Sequence, residues 1–369
     1  MKKILFIRFS SLGDIVLTES TIRLTKHFFP DFEIHYLTKE PFDELVKNFL
    51  IYENNNFYPL IDKVYLWKNK LKLLRLLNQE KYTYIVDLHS KFNSFIVKLA
   101  TKSNYTIIWK KQHLRRLMMI KRLTDKHIDS VVWNYLNTLN MIASTQKNIS
   151  LNPDEINSLH KPQLLINTQD ADYEKVKDIF TVHNLTVCNV DKPEDFAGKY
   201  MIAIFPGAQH KTKQYPIEKM ALFIDSIPEY WHCSFVIMGD YKEKDIAINL
   251  RRLTNQTIFD LTGAFNIKQL IYAINFMHAV ISNDSGPMHI AAALNKPQIA
   301  LYGATHTKLG FRPLNDNAEI IQKNLYCQPC SLHGSDSCPK NHFLCMKSIQ
   351  TEELFIVFKK MFEDKVLRI

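Results

Sequence analysis

The stretch AVISNDSGPMHIAAALNKPQIALYG, Ala279–Gly303, decides how this chain is read. It opens as a buried strand, passes through the polar hinge Ser282-Asn283-Asp284-Ser285-Gly286-Pro287, continues as a short helix and leaves as a second strand. Strand, helix and strand in that order form the crossover of a parallel sheet. Gly286 permits a tight turn and close approach of a ligand to the backbone. Pro287 suits the first helical position, where a missing N–H costs nothing. The free N–H groups of Ser285, Gly286, Met288 and His289, aided by the helix dipole, make a cradle for phosphate. Asp284, just ahead, carries the wrong charge for phosphate and suits sugar hydroxyls. Ordinary capping by Ser285 or Gly286 is the alternative. Capping accounts for the Ser and the Pro, but not for Asn, Asp, Ser and Gly in succession after a buried strand.

Outward from this stretch the alternation repeats. Upstream in the same half, YMIAIF, SFVIMG and TIFDLTG read as strands, separated by helical patterns at Ile217–Ile227, Tyr241–Leu253 and Ile267–His278. The N-terminal half does the same with KILFIRF, EIHYLTK, KVYLW, YIVDLH and YTIIW, and Asp14–Phe29 reads as its first helix. The segment 189–199, NVDKPEDFAGK, is the strongest linker candidate. The expectation is an α/β chain of two doubly wound, Rossmann-like domains, 1–188 and 189–369, facing a cleft where ligands bind at the strands' carboxyl ends.

Composition sets the outer limits. The chain has 369 residues, 46% of them hydrophobic and 23% charged, which is ordinary for globular proteins. The opening MKKILFIRFSSLGD resembles a signal peptide only briefly, since Arg8 and Asp14 interrupt the apolar run, and no segment has the length of a membrane span. A cytoplasmic protein is expected. Lys and Arg exceed Asp and Glu by ten, and residues 63–126 hold sixteen cations against Glu80, Asp87 and Asp125. That imbalance points to an anionic partner for the N-terminal half, or to a solvated basic face with none.

Two further loops carry chemistry. In AIFPGAQHKTKQYP, 203–216, a strand ends at Phe205 and a glycine-containing loop presents His210, Lys211 and Lys213. A lysine at a sheet's carboxyl edge can neutralise a departing diphosphate. In IRFSSLGDIV, 7–16, a strand runs into Ser10, Ser11 and then Asp14, a carboxylate placed to act as general base. A first-turn acid favoured by the dipole is its plain alternative. No G-x-G-x-x-G occurs anywhere in the chain, which counts against a nicotinamide dehydrogenase.

Together, S-S-L-G-D, P-G-x-x-x-K-x-K and D-S-G-P-M-H-I-A-A-A-L followed by Y-G resemble the bacterial lipopolysaccharide heptosyltransferases, glycosyltransferase family nine with the GT-B fold. The resemblance implies an inverting transferase that uses ADP-heptose, needs no catalytic metal, and extends a lipopolysaccharide-core acceptor at the cytoplasmic face of the inner membrane. By position it makes Asp14 the base on the acceptor hydroxyl and Lys213 the support of the diphosphate. Asp284 then grips the donor sugar, while Ser285, Gly286, Met288 and His289 follow the phosphate cradle. Glu243 falls where an acid holds the donor ribose, and Ser10 and Ser11 where a loop meets the acceptor. The family pattern also sends the last helix, Glu352–Phe362, back toward the N-terminal domain. Gly207, Ala208 and Gln209 depart from relatives that carry hydroxyl residues near the phosphates.

Three features stand beside that resemblance. His89 and Lys91, after the strand YIVDLH, are candidates for the acceptor side. Residues 110–126, KKQHLRRLMMIKRLTDK, place Leu114, Leu117, Met118 and Leu123 near one helical face, to lie on an anionic membrane or lipid-linked acceptor, or to pack on their own domain. Cys327, Cys330, Cys338 and Cys345 offer the donors of a structural zinc, with reduced, packed thiols as the alternative. Rival functions are a transferase with another nucleotide sugar, a nucleotide-sugar epimerase, and a nucleic-acid-binding protein. The last lacks any helix-turn-helix or aromatic RNA-reading signature.

Overall fold

Near-continuous apolar runs such as Lys2–Ile7 and Tyr200–Phe205 are the pattern of parallel strands covered on both faces, and both become central strands. The computed structural model describes residues 2–146, 151–183, 185 and 200–367. Its contacts divide into two units. One comprises Met1–His113 with Asp129–Leu165, the other Leu114–Ile128 with Ile166–Ile369.

The first unit holds strands β1 (Lys2–Ile7), β2 (Phe32–Thr38), β3 (Leu50–Glu53), β4 (Asn56–Pro59), β5 (Lys63–Leu66), β6 (Tyr82–Asp87) and β7 (Ser103–Ile108). β3 and β4 form a separate hairpin, and the other five make a parallel sheet ordered β5-β2-β1-β6-β7. The chain moves outward from β1 to β2 and β5, then returns to the other side of β1 at β6. That reversal puts a topological switch point between the carboxyl ends of β1 and β6, where open α/β sheets bind ligands. The loops that leave those ends carry Asp14 on one side and His89 and Lys91 on the other.

The second unit repeats the plan with β8 (Tyr200–Phe205), β9 (Cys233–Ile237), β10 (Ile258–Asp260), β11 (Ala279–Asn283), β12 (Gln298–Tyr302) and β13 (Ala318–Gln322), a parallel sheet ordered β10-β9-β8-β11-β12-β13. Its switch point lies between β8 and β11. Their loops carry Lys213 and the Asp284–Gly286 hinge. Two doubly wound parallel units are thus as the sequence predicts.

Three boundaries differ from expectation. The 188/189 division and the linker 189–199 lie outside the described residues, but the helix Ala171–Val182 already belongs to the second unit. Tyr173 and Phe180 find their aromatic partners there, in Tyr272, Phe265 and Phe276. The basic helix His113–Ile120 also contributes to that unit from Leu114 onward. Its buried residues are Arg116 and Met119 rather than the Leu114–Leu123 stripe. Met119 packs with Ile128 and Leu309, and Arg116 donates to the Leu309 carbonyl at 3.1 Å and stacks over Phe311. Finally, the helix Thr351–Met361 joins the second unit's own core instead of crossing back. Phe358 meets Phe223, and Phe362, just beyond, stacks on Trp231. An apolar face that large finds its burial locally.

Candidate active site

In the first unit the β1 strand delivers Arg8 and Asp14 to the switch point. Arg8 is buried between the rings of Trp109 and Tyr135, donates from Nε to the Ser10 carbonyl at 2.7 Å and from Nη1 to the Leu88 carbonyl at 2.5 Å. Its Nη2 lies 2.5 Å from Asp14 Oδ2. The same oxygen accepts the Ser11 hydroxyl at 2.9 Å and the Ser11 N–H at 3.3 Å. Burial raises the Asp14 pKa, but the Arg8 charge and the Ser11 bonds outweigh it and hold the carboxyl below its ordinary range. Asp14 is therefore a partly exposed, ionised carboxylate.

Across the switch point, His89 is buried edge-on to Phe9, and its N–H, like that of Ser90, donates to Asp87 Oδ1. Burial and the charges of Arg8, Lys111 and Lys91 push its pKa down to about 3, so His89 is neutral. Lys111 donates to the Ser90 carbonyl at 3.2 Å, and burial together with Arg8 and Lys91 lowers its pKa to about 8. Arg8, Lys91 and Lys111 thus crowd one edge of the sheet, an arrangement that an anion relieves. The structure places Ser10, Ser11, Asp14, His89 and Lys91 at this edge, together with Arg8 and Lys111.

In the second unit, Lys213 and Asp284 meet at 2.9 Å, and Thr305 donates its hydroxyl to the same Asp284 oxygen at 2.6 Å. Burial disfavours the Asp284 charge, but Lys213 and Thr305 outweigh it and the pKa is lowered. His289, buried in the first helical turn, adds to that field. Asn283 ties the two loops together. Its amide donates to the Pro206 carbonyl at 2.8 Å and accepts the Tyr215 N–H at 3.1 Å.

The helix Gly286–Ala293 begins at Ser285, whose backbone is extended and whose side chain makes no capping bond. Among the described residues the buried Ser285 Oγ has no hydrogen-bond partner. Side-chain capping by Ser285 therefore does not account for this helix end, where an α-helix leaves its first N–H groups without intrahelical acceptors. Met288 offers only its backbone there, because its side chain packs with Ala300 and Tyr302.

Glu243 closes over the neighbouring loops. Its Oε2 accepts the Asp240 N–H at 3.0 Å, and burial raises its pKa. Any side chain at Gly207 or Gly239 would overlap its carboxylate. The glycine at 207 thus leaves the space that the Glu243 carboxylate occupies.

The cysteine loop backs this site. Ser335 and Thr212 exchange hydrogen bonds, the Cys330 N–H donates to Ala304, and Gly334, at φ +96°, packs against the stem of Lys213. Cys327 and Cys345 are buried, and burial, reinforced by the neighbouring thiols, raises the pKa of Cys330 and Cys345. Cys327 Sγ lies 3.7 Å from His342 Nε2, but a tetrahedral zinc with bonds of about 2.3 Å brings its sulfurs within about 4 Å of each other, closer than any three of the described thiols stand to one another. Among the described residues the only three or more His, Cys, Asp or Glu ligand atoms within 4.8 Å of one another belong to Glu33, His35 and Glu80. Lys3 and Lys63 already neutralise those carboxylates, at the amino ends of the strands and away from the switch point.

Two parallel units, one with a carboxylate at its switch point and the other with a lysine beside an open helix end, define a GT-B glycosyltransferase. Residues 70–340 match the profile of glycosyltransferase family 9 (heptosyltransferase), and the chain belongs to that family. It is 26% identical over 381 residues to lipopolysaccharide heptosyltransferase 1 of Campylobacter coli, covering 98% of this chain and 100% of that one. The structure of E. coli ADP-heptose lps heptosyltransferase II superposes with a TM-score of 0.71 at 20% identity, covering 98% and 99%. A glycosyl transferase family 9 structure from Veillonella parvula gives 0.74 at 18% identity, covering 98% of each chain. No helix among the described residues is long and apolar enough to cross a membrane.

Proposed function

We propose that this enzyme transfers heptose from ADP-heptose, with inversion, to a hydroxyl of an anionic, lipid-linked lipopolysaccharide-core acceptor at the cytoplasmic face of the inner membrane. The observation that carries the reading is Lys213 beside Asp284 at an uncapped helix end, a combination suited to a diphosphate and the sugar it bears. In the reaction, Asp14 takes the proton of the acceptor hydroxyl as its oxygen attacks the anomeric carbon. The bond from that carbon to the diphosphate oxygen breaks on the opposite face, and ADP leaves with the electron pair. Lys213 and the N–H groups of Gly286 and Met288 stabilise the charge that develops on ADP. Asp284 orients the sugar hydroxyls, and Glu243 holds the ribose.

The crowded cations Arg8, Lys91 and Lys111 support an acceptor that carries carboxylate or phosphate groups. Ser10, Ser11 and His89 complete that side. The cysteine loop is a wall behind Lys213 and takes no part in the chemistry. Calorimetric titration with ADP-, UDP- and GDP-sugars, followed by mass analysis of a heptose-free core acceptor after incubation with ADP-heptose, tests the reading. Selective ADP-heptose binding and a product one heptose heavier are expected. Preference for a UDP- or GDP-sugar keeps the transferase and removes heptose, and binding of none of them overturns the donor site.

A further inference from the structure

The helices Lys70–Gln79 and Phe92–Ala100 connect β5 to β6 and β6 to β7. Both connections advance in the same direction across the sheet, so right-handed crossovers place both helices on one face, where they touch. Their inner sides, Leu73, Leu77 and Val97, are buried in the first unit's core. Their outer sides are not those of an ordinary solvated surface. Phe92, Phe95 and Leu99 stand at i, i+3 and i+7 on one side of the second helix and are 76%, 51% and 73% exposed, while Leu71 in the first turn of the other is 77% exposed. Neither helix contains an acidic residue, and the exposed cations Lys70, Lys72 and Arg75 lie on the first.

Large apolar side chains held open in water mark an interaction site, and helices whose only charged side chains are cations favour an anionic partner. Both helices also begin at the sheet edge that carries Asp14 and His89, so Leu71 and Phe92 stand near the acceptor side. We infer that this helix pair is a membrane-docking face. Phe92, Phe95, Leu99 and Leu71 enter the interface of an anionic bilayer, and the lysines and arginine meet its phosphate groups. The inference extends the reading of a lipid-linked acceptor by naming the surface that meets its membrane.

Co-sedimentation of the full chain with phosphatidylcholine vesicles, with and without phosphatidylglycerol, tests it. Binding is expected only with phosphatidylglycerol, and salt should weaken it. Phe95→Ser with Leu99→Ser, and separately Lys70→Glu with Lys72→Glu, should each lower the partition by roughly tenfold or more. Melting temperature and transfer to a delipidated, water-soluble acceptor should stay at wild-type levels, which separates this outcome from misfolding. Wild-type protein that ignores anionic vesicles, or variants that bind them as wild type does, overturns the inference. So does a wild-type dimer in sedimentation equilibrium that Phe95→Ser with Leu99→Ser dissociates, since a second copy then covers the face. Vesicle binding without any sugar transfer would count against the transferase reading alone.

Discussion

Arg8 Nη2 sits 2.5 Å from Asp14 Oδ2, and both Ser11 donors converge on that same oxygen, whereas Oδ1 accepts from none of them. The ion pair therefore does more than hold the loop in place. It selects which oxygen of the carboxylate is left for an incoming hydroxyl proton. It also keeps that carboxylate ionised, at some cost in basicity, because a cation so close favours the charged form.

Arg8→Met should move the acid limb of the kcat profile to higher pH. As the proposed base, Asp14 acts above its folded pKa and is lost as pH falls through it. With Arg8 present that value is depressed. Without it burial is opposed only by the Ser11 bonds, so activity is lost at a higher pH than in the wild type. Arg8→Lys should restore part of the shift. A pH-rate series on the three proteins decides the matter, and superimposable acid limbs would separate Arg8 from the base.

Asp14→Ala should lower turnover by roughly 10²–10⁴ while the Kd for ADP stays unchanged. The reason is placement: Asp14 follows the carboxyl end of β1 in the first unit, whereas the proposed diphosphate contacts belong to the second. Steady-state kinetics beside calorimetry read both quantities. Parallel losses in both would count against the assignment as a base.

Lys213→Ala removes the cation that compensates a largely buried Asp284, leaving only Thr305 on that oxygen. Breaking such a pair costs on the order of 3–5 kcal/mol. In the intact protein the depressed Asp284 pKa contributes stability that is present above the unfolded value and is lost as pH falls through the folded one. In Lys213→Ala only Thr305 and His289 oppose burial, so the Asp284 pKa is depressed less and the variant loses less stability on acidification than the intact protein does. Asp284→Asn in the same background should recover most of the loss. Thermal melts at acid and neutral pH for the two variants check this, and ADP affinity should drop in both.

Much of this was legible in the sequence, for physical reasons that differ by element. β8 and β11 are buried on both faces, so their apolar runs mark their ends within a residue or so. The hairpin β3–β4 escapes such a reading because its strands are short and largely exposed. Its signal was the turn Asn54-Asn55, where both φ angles are positive, as two-residue hairpin turns require. Asp14, Lys213 and Asp284 announce themselves by standing just after strands. Their partners do not: Arg8 looks like an interruption in an apolar strand, and Thr305 and Asn283 like ordinary loop residues. An ion pair between the strand end and the helix start, or a hydroxyl brought in from 21 residues away, is fixed by tertiary packing and leaves no periodicity. The basic helix misled for the same reason, because its charge pattern could not show that Arg116 and Met119 were the buried positions.

Gly207 and Glu243 offer a last test, because the two positions compete for one volume. A methyl group at 207 falls on the Glu243 carboxylate, so Gly207→Ala must displace it or shift the loop after β8. The atoms it meets are the far end of a flexible side chain, so the carboxylate turns aside at the loss of its bond to Asp240, at a cost of about 1 kcal/mol or less. Glu243→Ala should empty the space, so that Gly207→Ala becomes nearly neutral in that background. A double-mutant cycle in urea unfolding then yields a coupling energy of that same size. The function of Glu243 separates from this wedge through its ligands. If the carboxylate holds the ribose, Glu243→Ala weakens ADP while leaving inorganic diphosphate as it was, since the diphosphate meets Lys213 and the helix end instead. Coupling in stability with both affinities unmoved would make Glu243 a spacer between two loops and remove it from the donor site.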